Sequence, residues 1–306
     1  VQGPLTELVQ VVVSTATVGS VLGLVALGYN LVFSATRIVN FAQGSMLVVA
    51  GYTAYALTRE GAPIWLALVL TVLLSAAFGA AVEVVALRPL GRFDPTQNVG
   101  WVLTTFAVTL VSIDLVRIAV DSEPHPLPDL AGSILGWRQS TVAGVPVTAT
   151  DVSIVVGALV LMVVVEALQL RTMAGRAFRA VAQDRQTASL MGINPGAVVL
   201  TTFAVAGALA AVGAVLLAPK LFVRLEMAEL LGVQAFVAAV LGGLGSTRGA
   251  VVGGYLIALV SAAVKTVELG GRTFVQWEPL VVFAVFMLVL VVRPRGIFGG
   301  PDVEKA

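Results

Sequence analysis

The 306-residue sequence contains no cysteine and a single histidine. Without cysteine there is no disulfide, no thiolate metal ligand and no thiol nucleophile. The lone His125 leaves no histidine pair for a metal, and no Asp-rich diphosphate motif or glycine-flanked nucleophilic serine takes its place. Catalysis and metal binding have no candidate residues. Charge is scarce too. Asp, Glu, Lys and Arg make up 11% of the residues, against about 25% in soluble domains. The formal net charge of +1 points to no nucleic-acid partner. No basic stretch leads into a small-residue cleavage site near the first residue, so no signal peptide is expected. What is abundant is apolar: 58% of residues are hydrophobic and the mean hydropathy is +0.99. This composition is suited to a lipid bilayer.

Apolar runs near or above the roughly 20 residues needed to cross the hydrocarbon core fall at about 7–33, 64–87, 99–120, 151–170, 196–218 and 249–268. Shorter runs lie at about 40–58, 229–245 and 278–292. Only helices and closed barrels satisfy their backbone inside a bilayer, and these runs lack the period-2 alternation of strands. The expectation is an all-α, polytopic transmembrane bundle of about 8–10 spans, nine being the working number, with room for a re-entrant short run.

Lysine and arginine set the orientation. Arg37, Arg88, Arg92, Arg171, Arg176, Arg179, Arg185, Arg248, Arg293, Arg295 and Lys305 fall on one side of such a bundle. Arg59, Arg138, Lys220, Arg224 and Arg272 fall on the other, with Arg117 and Lys265 inside spans. The richer side faces the cytoplasm. Residues 171–195 and the C-terminus are therefore expected inside, the N-terminus and 121–150 outside.

Two stretches interrupt the apolar pattern. "GYNLVFSATRIVNFAQGSMLVVAGY", residues 28–52, crowds Arg37, Asn40, Gln43, Gly44 and Ser45 together. Buried amides need partners, and irregular backbone is tolerated inside a membrane only within protein or beside a watery cavity. The stretch reads either as a path-lining break or as a turn anchored by Arg37. The second, "LGGLGSTRG", places Gly242, Gly243, Gly245 and Gly249 around Ser246, Thr247 and Arg248. No Lys-Ser/Thr pair follows it, so it is no phosphate loop; a tight turn or close packing through small residues fits better. Both stretches join a glycine-bearing break to an apolar helix. Such an echo suits a transporter of two related halves with broken helices.

The polar segment 171–195 reads as a short amphipathic helix. Arg176, Arg179, Gln183 and Thr187 form a stripe opposite Phe178, Val181, Ala182 and Ala188, and Gly192 and Pro195 mark its end. It suits the headgroup surface or a cytoplasmic partner; Arg185 on the apolar face favours the partner. Among ionisable groups inside spans, Asp114 and Arg117 pair at i,i+3. Glu83 and Glu166 precede Arg88 and Arg171, and Lys265 and Glu268 lie near a span end. Pairing and snorkelling explain these better than a proton relay. His125, in "DSEPHPLPDL", reads as a surface residue.

"GYNLVFSATRIVNFAQG", "GRAFRAVAQDRQTASLMGIN" and "VLGGLGSTRGAVVGG" resemble, in this order, segments of permeases of the branched-chain amino-acid ABC transporter family. The resemblance runs from about residue 20 to 298. It implies one transmembrane permease domain over 1–306, with 171–195 as its ATPase-coupling loop, in a bacterial cytoplasmic (inner) membrane. It implies a second permease subunit, two cytoplasmic ATPase subunits and an extracytoplasmic solute-binding protein as partners. ATP and Mg would be bound by the ATPases, and no cofactor by this chain. By the same resemblance, Asn40, Phe41, Gln43, Gly44 and Ser45, with Gly242, Gly243 and Gly245, would line the path or touch substrate. Arg176, Arg179, Asp184, Arg185 and Gly192 would couple to the ATPase. Where ABC importers commonly carry Glu-Ala-Ala, three residues and Gly, this chain has Gln186, Thr187, Ala188 and then Gly192, so two of the four persist. Relatives carry leucine-like amino acids, urea, short amides or small aromatic acids. The rival reading of another class is a proton-coupled secondary transporter using Asp114 or Glu83.

Overall fold

The computed structural model describes residues 4–90, 100–121, 123–128, 139–266, 268–269 and 272–299. Among these, seven helices are of spanning length, two more of 17 and 16 residues pack among them, and two short ones join two of the spanning helices. The long elements are α1 (Pro4–Thr36), α2 (Gln43–Arg59), α3 (Ile64–Val82), α4 (Gly100–Ala119) and α5 (Ala149–Arg171). After the short α6 (Met173–Gln183) and α7 (Arg185–Leu190) come α8 (Pro195–Leu221), α9 (Met227–Gly242), α10 (Thr247–Thr266) and α11 (Glu278–Val292). A π turn, Glu83–Leu87, extends α3. Two small hairpins, β1 (Gln139–Val142) with β2 (Val145–Thr148) and β3 (Glu268–Leu269) with β4 (Arg272–Thr273), complete the described elements.

Seven of the helices are long and apolar enough to cross a membrane. The other two, α2 and α9, have 17 and 16 residues, or about 25 Å of helix at 1.5 Å per residue. Both are shorter than the spans, and most of α2 and much of α9 are buried against the rest of the bundle. Alternation along the chain collects Arg37, Arg88, Arg171, Arg176, Arg179, Arg185, Arg248, Arg293 and Arg295 at one end, called here the basic end. Arg59, Lys220 and Arg224 lie at the opposite, far end. Arg92, Arg138 and Lys305 lie outside the described residues, as do the side chains of Glu268 and Arg272.

Small residues let the helices approach closely, as packing in lipid favours. A Cβ on Gly207 of α8 would stand 2.2 Å from Ser75 O of α3, and one on Gly254 of α10 2.4 Å from Gly23 N of α1. On α2, a Cβ at Gly44 would stand 2.6 Å from Ala228 O of α9. The two short helices therefore touch backbone to backbone in the middle of the fold.

Several ionisable groups of the helices are paired. Arg117 meets Asp114 at 2.8 Å and Arg88 meets Glu83 at 3.0 Å, the pairs expected from spacing. Two partners differ from the expectation. Glu166 pairs with Arg248 of α10 at 2.9 Å rather than with Arg171, and Lys265 pairs with Glu278 of α11 at 3.1 Å. Helix packing brings α10 beside α5 and α11 beside α10, which supplies these partners. Asp151 of α5 is capped by Thr148 and bonded by Thr17 of α1 and Lys220 of α8, tying three helices at the far end.

Candidate functional site

The first break begins at the basic end and descends into the bundle. Arg37 has φ 60, a left-handed conformation uncommon outside glycine. Asn40, Gln43 and Ser45 are fully buried. The Asn40 Oδ1 accepts the Ala42 N–H at 3.1 Å, and the Gln43 Nε2 donates to Ala206 O of α8 at 3.1 Å. Ala206 lies eleven residues into α8, about 16 Å along its axis, so α2 starts near mid-depth. The Ser45 hydroxyl donates to Ala42 O at 2.9 Å. Phe41 stacks on Trp101 of α4 with centroids 6.2 Å apart, and the Thr109 hydroxyl donates to Phe41 O at 3.0 Å. Asn40 Nδ2 and Gln43 Oε1 have no protein partner. The break is thus irregular backbone enclosed by protein, with polar capacity unused.

The second break, between α9 and α10, lies at the basic end itself. Gly243 (φ 106) and Gly245 (φ 90) take conformations that only glycine adopts without strain. A Cβ on Gly242 would fall 1.9 Å from Gly249 O. The segment after α11 caps this turn: Ile297 N–H donates to Leu241 O at 2.9 Å and Phe298 N–H to Gly242 O at 3.0 Å. The two breaks differ in depth, a distinction their similar sequences hide.

One residue that sequence reading passed over clamps the second break. Asn30 of α1, 2% exposed, donates from Nδ2 to Gly243 O at 3.2 Å and Ser246 O at 2.9 Å. Its Oδ1 accepts the Gly245 N–H at 3.3 Å. The only sequence signal was an amide in an otherwise apolar helix.

The loop at 171–195 is not one helix. Asp184 is extended (φ −154, ψ 111), and its side chain accepts the Gln186 and Thr187 N–H groups, starting α7 anew. The stripe that joined Thr187 to Arg179 therefore does not exist, and Arg185 opens a separate helix. Its Ala188 is buried and Gly192, at φ 82, ends α7. Arg176 is exposed, whereas the Arg179 guanidinium donates to Gln169 O of α5. Arg185, exposed, stands with Glu83, Arg88 and Asn194 around a cavity of about 440 Å³. Leu190 and Met191 touch almost nothing, being 87% and 79% exposed. They are the missed candidates for a docking face, and their signal was an apolar pair at the end of a polar loop.

The loop is bonded to the first break directly and to the second by way of Gln169 of α5. Arg37 Nη2 donates to Ala182 O of α6 at 3.1 Å, and the Thr247 hydroxyl donates to Gln169 Oε1 at 3.1 Å, beside the carbonyl that holds Arg179. These elements and the segment after α11 surround a cavity of about 990 Å³. It opens at the basic end.

Residues 11–290 match the family model described as the branched-chain amino acid transport system / permease component. The chain belongs to this permease family. It is 33% identical over 310 residues, 97% of each chain, to the high-affinity branched-chain amino acid transport system permease protein BraD of Pseudomonas aeruginosa. It is 32% identical over 305 residues, 94% of each chain, to the permease protein LivH of Escherichia coli K12. A fructose import permease, FruF of Bifidobacterium longum, is 25% identical over 284 residues, covering 88% of this chain and 73% of that one. Among solved structures, a metal-chelate type ABC transporter in an inward-facing conformation has the same fold at TM-score 0.51 and 14% identity, over 95% of this chain and 89% of that chain. As an ABC permease the chain is a transport subunit and no enzyme; ATP hydrolysis belongs to separate subunits.

Proposed function

We propose that this ABC permease imports branched-chain amino acids, with a binding protein at its far end and ATPases at its basic end, in a bacterial cytoplasmic membrane. The far end faces out and the basic end faces the cytoplasm, as the arginine bias requires. ATP and Mg stay on the ATPases, and a second permease completes the path. The observation that carries the reading is the linkage of the α6–α7 loop to both breaks, through Arg37 on one side and Gln169 with Thr247 on the other. A push on that loop reaches Arg37, just before the start of α2, through one bond, and Thr247, just after the turn at Gly242–Gly245, by way of Gln169 of α5. Asp114 and Glu83, the carboxylates of the rival proton-coupled reading, each face an arginine, which favours a structural role for both.

The test is ATP-driven uptake by the reconstituted importer, with labelled leucine, isoleucine and valine set against fructose. Accumulation of fructose with none of the three amino acids overturns the substrate. Asn40→Leu leaves the Ala42 N–H unpaired, which costs about 1–3 kcal/mol. The expected result is uptake lowered more than about tenfold, with the permease still in the membrane and still holding its ATPase. Normal uptake by this variant removes the first break from the path. Orientation is read by single cysteines, since the chain has none. A cysteine at the exposed Glu60 should react with an impermeant thiol reagent in intact cells, and one at Ser189 only after permeabilisation. The reverse pattern inverts the protein.

A further inference from the structure

The one histidine is not a surface residue. His125 lies in the segment after α4 at the far end, its side chain 13% exposed. Its ring lies flat on Tyr55 of α2, centroids 3.9 Å apart at 11°, and meets Tyr52 edge-on at 5.9 Å and 89°. Nε2 stands 2.8 Å from Asp121 Oδ1. The His125 N–H donates to Val223 O at 2.9 Å, and the Val223 N–H returns a bond to His125 O at 2.8 Å. Two residues on, Leu127 is buried in the hydrophobic core. The Tyr52 hydroxyl donates to Glu123 O at 3.5 Å. Val223 itself follows Phe222, whose φ 58 and ψ 158 lie in a region that costs a side-chain-bearing residue about 1–3 kcal/mol. A strained turn between α8 and α9, the end of α2 and the segment after α4 are thus held together at one side chain.

We propose that His125 is a positioning residue for solute passage, a proton-operated latch that closes the 123–128 segment over the far ends of α2 and α9. This rests on the transport reading above. The charged and titratable groups around the latch come from each element packed there. Asp121 and Glu123 belong to its own segment, Tyr52, Tyr55 and Arg59 to α2, and Arg224 and Glu226 to the turn between α8 and α9. Arg59 acts on Asp121, and Asp121 and Glu226 both act at Tyr52. A proton on the imidazole turns the Asp121 contact into an ion pair and sets a cation on the Tyr55 face. The latch therefore tightens when His125 takes up a proton and loosens when the proton leaves. The Glu123 N–H, and then His125 itself, hold Asp121 below the ordinary carboxylate range. A lowered carboxylate contributes above that range and is lost as pH falls through its own value, so the ion pair fails only in stronger acid.

The test uses Leu127→Cys as a reporter in the complete importer in phospholipid nanodiscs. Its maleimide reaction rate is divided by that of an exposed Glu60→Cys control at the same pH, which removes the intrinsic pH dependence of the thiol. The ratio should be about fivefold higher at pH 8 than at pH 6, the scale of one partly exposed cation–π contact. With His125→Phe, which keeps the ring stack and holds no proton, it should be flat at the higher level. Asp121→Asn should shrink the response by removing the ion pair. ATP-driven uptake by the same importer in sealed phospholipid vesicles should follow the same pattern with pH on the far side. A flat ratio in the parent chain, or an unchanged pH response in His125→Phe, overturns the latch. Labelling is read without transport, so a preparation that takes up nothing at any pH counts against the transport reading, while the labelling ratio still decides the latch.

Discussion

Replacing both Leu190 and Met191 by glutamate should strip the ATPase from the permease while leaving the permease itself in the membrane. These side chains are 87% and 79% exposed, so they contribute little to this chain's own stability. Full burial of a leucine or methionine side chain against a partner contributes about 1.5–3 kcal/mol each, and two buried carboxylates would add a desolvation cost. A combined loss of about 3–5 kcal/mol corresponds to more than a hundredfold in affinity. Co-purification of ATPase should vanish and uptake should fall to background. Arg176→Glu makes a useful comparison. Its guanidinium is exposed, and a rim charge changes association rate more than final affinity, so a smaller defect is expected. Arg179→Ala tests something else, because Arg179 is bonded to Gln169 O within the chain. Undiminished ATPase binding by the Leu190/Met191 variant moves the docking face elsewhere.

Asn30→Leu should be the most destabilising single change at the second break. One amide makes three bonds there, to Gly243 O, Ser246 O and Gly245 N. The substitution leaves these backbone groups without their partner in a turn whose glycines hold conformations that no other residue replaces. At about 1 kcal/mol or more per bond, the loss is about 3 kcal/mol or greater. A thermal melt of the purified permease in detergent should shift down by several degrees. Asn30→Asp keeps the acceptor for Gly245; it has one donor when protonated and none when charged. It should melt between the parent and Asn30→Leu if left protonated, and below both if charged. A melt of Asn30→Leu that matches the parent would mean that the tail, through Ile297 and Phe298, holds the break alone.

How far each feature was legible depends on the range of the interaction that creates it. Membrane residence, the seven long apolar helices and the sorting of arginine to one end all follow from local composition. A run of apolar residues must leave water wherever it packs, and short connections force the chain to alternate ends. The location of both breaks was legible for the same reason: amides and glycines in apolar surroundings announce irregular backbone. The i,i+3 pair of Asp114 and Arg117 was legible because one helix presents both. What lies across the fold was not. Sequence spacing paired Glu166 with Arg171, but the packing of α10 beside α5 supplies Arg248. A helical wheel drew 171–195 as one amphipathic helix, and a single carboxylate, Asp184, divided it by capping the next turn. His125 read as a surface residue because its partners, Tyr52, Tyr55 and Val223, lie about 70 to 100 positions away along the chain. Asn30 read as an ordinary amide until α1 met the break more than 200 residues later. Local chemistry decides which segments cross the membrane and which interrupt themselves. Only tertiary packing decides which side chain answers which, because each partner is set by the crossing of helices far apart in sequence.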